Sequence, residues 1–172
     1  MKLPHSLAVS IRINLRELEM LFENHTELMK EMKALCAKER YKASVIAKDS
    51  CPGIGWLTAI RLTLEWGDMR RFATGKHIAS FTGLTASEYS TGETIRKGRI
   101  TAQSSSTVRS WLIECAWRAI RKDPVLLDKF HRVAANSGST KKAVVAVARK
   151  LAVRMWALET GTQHTYVIGV IE

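Results

Sequence analysis

The chain has 172 residues, a formal net charge of +11 and a hydrophobic content of 46%, enough for one domain with a core plus an appended element. That balance excludes a disordered chain, and no apolar run approaches the ~20 residues that cross a bilayer. The charge is uneven: residues 1–50 hold nine Lys/Arg against seven Asp/Glu, and the rest holds eighteen against nine.

The second part therefore carries most of the positive field, which attracts polyanions; nucleic acid is the commonest in the cytoplasm, and an acidic protein is the alternative. At the start, Arg12, Asn14 and Arg16 interrupt what would be a signal-peptide core. Cys36, Cys51 and Cys115 are odd in number and lack metal-like spacing, as expected of reduced, buried thiols. The expectation is a cytoplasmic protein with no membrane partner and no metal site.

In chain order, Ile11, Leu15, Leu18, Leu21, Phe22, Leu28, Met29, Met32 and Leu35 step by three and four. They predict one amphipathic helix of roughly forty residues from near His5, long enough to want a hairpin or coiled-coil partner. Residues 1–49 read as an arm for oligomerisation or linkage, with His25 as a tolerated seam residue. In "DSCPGIGWLTAIRLTLEWGDMRRF", Pro52 and Gly53 break the helix and Gly55 permits a tight turn before helical spacing resumes. The order is like a helix-hairpin-helix, whose glycines let backbone and helix N–H groups approach a phosphate; Gly53, Gly55 and Thr58 are then DNA-backbone contacts. A helix–helix turn that simply needs glycine is the other reading.

"KHIASFTG" predicts a short helix ended by Gly83. Residues 83–109, "GLTASEYSTGETIRKGRITAQSSSTVR", carry hydroxyls, cations and three glycines without apolar periodicity, and read as a loop. Helical spacing returns over "STVRSWLIECAWRAIRK". Asp123 and Pro124 then make an N-cap and first-turn proline, and "NSGST" ends that helix and caps a last one rich in small residues. The tail, 161–172, reads as a strand or a disordered end. The fold class is mainly α: a long N-terminal amphipathic helix followed by a compact helical domain, residues 50–160, with the helix-hairpin-helix-like turn.

A loop of this length in a compact domain is commonly functional. Hydroxyls beside Arg96, Lys97 and Arg99, running into Ser105 at a helix start and Arg109 within the helix, form a phosphate site. A serine there would attack a phosphodiester while the arginines stabilise phosphoryl charge. No base for the serine is evident, and a solvated loop with surface cations is the alternative.

Six short motifs stand here in one order: Pro52-Gly53-Ile54-Gly55 with Thr58-Ala59, Gly67-Asp68 before Arg71-Phe72, Gly83-Leu84-Thr85, Tyr89-Ser90-Thr91-Gly92, Arg-x-Gly-x-Ile-Thr, and Val108-Arg109. Over roughly residues 50–160 the sequence resembles the C-terminal transposase domain of the insertion sequence one-ten family, the DEDD-type transposases also called bridge recombinases. The resemblance implies a serine that links covalently to DNA, an N-terminal ribonuclease-H-like domain binding Mg²⁺ through four acidic residues, and a structured guide RNA. It places the nucleophile at Ser90, with Thr91 as the alternative, and Arg96, Lys97, Arg99 and Arg109 on the DNA backbone.

Residues 1–50 are too short for the acidic domain, so no cofactor is expected in this chain. Ala102-Gln103-Ser104-Ser105 replaces a common Lys-x-Gly-Asn, and Ala86 a common proline. The expectation is a truncated, DNA-binding recombinase fragment, inactive alone and self-associating through its first helix. The alternatives are a non-catalytic helix-hairpin-helix nucleic-acid-binding module or inhibitor of the full-length enzyme, and a structural protein with an acidic partner.

Overall fold

The computed structural model describes residues 4–91, 94–100 and 105–161. Among them are seven α-helices and one antiparallel strand pair, so the chain is mainly α, as its periodicity implies. Two compact units share it, Met1–Tyr41 and Lys42–Glu172.

The first unit is helix α1, His5–Ala37, which buries none of its residues. Ile11, Leu15, Leu18, Phe22, His25, Met29, Met32 and Cys36 follow one another by alternating steps of four and three, the spacing of a coiled-coil seam. Phe22 is 72% exposed. The expected forty-residue helix is interrupted: Lys38 takes an extended backbone, φ −65° and ψ 134°, and donates its N–H to the Leu35 carbonyl. Neither glycine nor proline marks the break, so periodicity carries no sign of it. Helix α2, Glu39–Asp49, resumes directly.

The second unit continues through α3, Trp56–Trp66, a 3₁₀ turn at Met69–Arg71, and α4, Gly75–Phe81. Gly67, at φ +61°, ends α3, and Asp68 caps the turn by accepting from the Arg70 N–H. The short helix predicted up to Gly83 is α4; Gly83 and Leu84 donate their N–H groups to the Ser80 and Ala79 carbonyls, and Gly83 has φ +63°. Both of these motif glycines thus end helices that only a residue tolerant of positive φ closes cheaply.

Residues 86–100 correct the expectation of a loop. Strand β1, Ala86–Thr91, pairs antiparallel with β2, Thr94–Ile100. Tyr89, Thr91, Thr94, Ile95 and Ile100 are strand formers. A two-stranded ladder pairs its backbone groups with each other, so it forms without a period-two apolar face.

Three further helices follow: α5, Ser106–Ile120, α6, Pro124–Ser137, and α7, Thr140–Thr160. Asp123 accepts from the Val125 and Leu126 N–H groups at the start of α6, as the Asp-Pro pair predicts. Gly138 ends α6 in the left-handed region, and Ser139 caps α7. Helix α7 is the core element, packed against α4, α5, α6 and the 3₁₀ turn. Ala143, Val144, Val147, Ala148, Leu151, Ala152, Met155 and Trp156 recur at helical spacing and are all buried. Alanine at three of these lets neighbouring helices approach closely. The tail from residue 162 lies outside the described residues.

One polar cluster is buried among these apolar contacts. Lys48 on α2 is fully buried and ion-paired with Glu159 on α7. Its ammonium also donates to Ser44 Oγ at 2.7 Å, and Ser44 donates to Glu159 Oε2 at 2.6 Å. Burial outweighs Glu159 and holds the Lys48 ammonium below the usual lysine range.

Candidate nucleic-acid interface

The strand register organises the residues singled out in the loop. Ser90 stands across from Ile95, Thr91 from Thr94, Tyr89 from Arg96, and Glu88 from Lys97. Ser90 and Arg96, six apart in the chain, therefore occupy neighbouring rungs of one ladder. Ala86 pairs with Ile100, so Ser87 faces two residues, Gly98 and Arg99. That is the count of a β-bulge, a device that bends and twists a strand. Gly92 and Glu93 lie outside the described residues, as do residues 101–104.

Ser105 is the N-cap of α5: its hydroxyl accepts from the Val108 N–H at 3.4 Å. Arg109 is half-buried on the first turn of the same helix, its N–H bonded to the Ser105 carbonyl. The segment that links β2 to this cap is short, so hairpin and helix start are joined by few residues.

The Pro52–Gly55 turn divides its two glycines between different roles. Gly53 is buried at φ +79°, and a Cβ there would lie 2.6 Å from the Ala119 backbone nitrogen. The close approach that Gly53 permits is to α5. Gly55 is exposed, has open space where a Cβ would stand, and forms the N-cap of α3. Thr58 is half-buried and hydrogen-bonds the Cys115 thiol, which burial pushes above its ordinary range. In this turn, Gly55 is thus the position open to solvent.

Cations outside the predicted set also mark the surface. Arg61 on α3 lies over the Trp111 ring of α5 at 5.4 Å, and Arg71 over Phe72 and Phe81 at 4.6 and 4.8 Å. Such stacking orients a guanidinium while its N–H edge stays available. Helical spacing alone does not mark Arg61 and Arg71, because Trp111 and Phe81 stand on other helices.

Among the described residues, no group of three or more His, Cys, Asp or Glu side chains could hold a metal ion. No helix among those residues is long and apolar enough to cross a membrane.

Comparison with known proteins defines the class. Residues 49–132 match the model of the transposase IS116/IS110/IS902 family. The chain carries the C-terminal transposase domain of that family. A putative transposase of Sinorhizobium fredii, y4qE, is 30% identical over 148 residues, covering 72% of this chain and 38% of that protein. The transposase for insertion sequence element IS1111A of Coxiella burnetii is 29% identical over 155 residues, 84% of this chain and 42% of its own length. The pilin gene-inverting protein of Moraxella lacunata is 33% identical, over 67% of this chain and 36% of its own. The chain thus spans about two fifths of the length of these relatives.

Proposed function

We propose that this chain is the DNA-binding, serine-bearing part of an insertion-sequence recombinase. Ser90 is the nucleophile, with Thr91 as the alternative. The observation that carries the reading is the hairpin register, which puts Ser90 and Lys97 at positions two rungs apart on one face of the ladder, in a domain of a transposase family. A relative named for gene inversion supports strand exchange as the reaction class.

In that reaction the serine oxygen attacks phosphorus and gives up its proton. An O–P bond forms, the P–O bond to one deoxyribose oxygen breaks, and that oxygen leaves with a proton. One phosphodiester replaces another, so no external energy source is required. Arg96, Lys97, Arg99 and Arg109 hold the backbone phosphates, where guanidinium groups stabilise charge that grows in the transition state. Gly55, Ser105 and the start of α3 add backbone N–H groups suited to a phosphate. Mg²⁺, bound by four acidic residues of an N-terminal domain, and a guide RNA belong to the complete reaction; the chain alone is inactive. Self-association through the α1 seam completes the assembly.

Incubation with a nicked suicide duplex, with the acidic domain supplied in trans, tests the chemistry. A covalent protein–DNA adduct is expected, lost in Ser90→Ala and retained in Thr91→Ala. An adduct that survives both substitutions sinks the serine reading. Duplex affinity should fall on the order of 100-fold between 50 and 200 mM salt if about four phosphates are contacted. Binding that is salt-steep yet accompanied by no adduct under any condition would favour the non-catalytic binder.

A further inference from the structure

Helices α6 and α7 form an antiparallel pair joined through Gly138 and Ser139. An ion pair between Arg154 Nη1 and Asp123 Oδ2, 2.8 Å, fixes which turn of one helix meets which turn of the other. From that rung toward the connection, one turn along α7 reaches Lys150, and the next two turns of α6 bring Lys129 and Arg132. Both α6 residues lie three apart and share a side of the helix. Lys150 is half-buried and Arg132 exposed.

This arrangement concentrates like charge. The Lys150 ammonium is held below the usual lysine range by burial, and further by Lys129, Arg132 and Arg154; Asp123 alone opposes them. Asp123 is already engaged, by Arg154 and by two backbone N–H groups at its cap. Lys150 therefore stands among like charges that Asp123 offsets only in part, and a line of bound phosphates would relieve that repulsion. Lys150 and Arg154 also lie beyond the stretch matched by the family model, which ends at residue 132.

We propose that the α6–α7 pair carries a second contact to the backbone of duplex DNA, made by Lys129, Arg132 and Lys150, with Arg154 held in place by Asp123. It rests on the reading of this chain as a DNA binder and adds a surface on different elements from the hairpin. Phosphate is matched by cations alone, without base-reading geometry, so the contact positions the duplex and does not select sequence.

The test compares the full chain with a Lys129→Gln/Arg132→Gln/Lys150→Gln variant on a 25-bp duplex of arbitrary sequence, by fluorescence anisotropy across salt. Three lost phosphate contacts should reduce the log–log salt slope by about 2–3 and weaken binding for all sequences alike. The melting temperature should stay level or rise, because repulsion is removed. Should the triple variant lose helicity by circular dichroism, Arg132→Gln alone, at an exposed site, should reduce the slope by about 1. An unchanged slope in these variants, with affinity lost in Arg96→Ala/Arg99→Ala, overturns this surface and leaves the DNA reading standing. No duplex binding by the unaltered chain at 50 mM salt overturns both. Loss confined to a structured RNA hairpin, with duplex binding intact, also overturns the proposal.

Discussion

Gly53 and Cys115 are in backbone contact: a Cβ built on the glycine would fall 2.5 Å from the Cys115 carbonyl oxygen. No real Cβ comes that close to a peptide oxygen, and helix backbone cannot move aside as a side-chain tip does. The turn before α3 is therefore locked onto α5, the helix whose first turn carries Ser105 and Arg109.

Gly53→Ala accordingly combines a clash with an unfavourable positive φ. A loss of about 3 kcal/mol is expected, measured by urea unfolding. Gly55→Ser, at an exposed N-cap with free space, should cost less than about 0.5 kcal/mol, since serine is a good N-cap. Equal losses at the two positions would contradict this division of roles.

The Lys48–Glu159 pair makes a second prediction. Glu159→Ala strands a buried ammonium and removes the acceptor of Ser44, and should cost about 3–5 kcal/mol. The double change Lys48→Met/Glu159→Leu removes both charges and should cost clearly less than that single change. A double variant as unstable as Glu159→Ala would mean that packing, and not an uncompensated charge, sets the loss.

Thiol chemistry gives a third. Burial pushes the Cys51 thiol up to about 11 and the Cys115 thiol above its ordinary range. Both stay protonated and shielded at pH 8, so iodoacetamide should label Cys36, which is half-buried, well before either. Mass spectrometry of the native protein should find one fast site, and three after denaturation. The raised Cys51 value also fixes a sign. The unfolded thiol ionises near roughly pH 8.5 while the folded one does not, so the stabilising contribution is complete below that pH. It is lost as pH climbs to about 11, by on the order of 3 kcal/mol.

The α1 seam supplies the fourth. Leu18 and Phe22 stand on it, 51% and 72% exposed. Leu18→Lys/Phe22→Lys should lower the mass measured by sedimentation equilibrium, with helical content falling as the chain is diluted. A mass identical to that of the unaltered chain would show that self-association, if present, does not use this seam.

Much of this architecture was legible in the residues. The heptad steps from Ile11 to Cys36 define α1, the Asp123-Pro124 pair opens α6, and Gly138 with Ser139 separates it from α7. These are local signals: a cap, a fixed proline φ or a periodic face acts within a few residues of itself. The extended Lys38 was not legible, since no residue there forbids a helix. The hairpin escaped because its strands lack the alternating apolar face by which strands are recognised, although Tyr89, Thr91, Thr94 and Ile95 favour extended chain.

Order along the chain, the helices and their caps, and the positive bias of the second part were determined by sequence, because each rests on short-range chemistry or on simple summation of charge. Tertiary structure decided that Gly53 serves α5, that Thr58 turns to Cys115, that Ser90 and Lys97 share a face of one ladder, and that Lys150 lies within electrostatic reach of Lys129 and Arg132. Each of those is a meeting of residues brought together by pairing register or helix packing. Long-range burial selects such meetings, and no local rule carries the information to name them.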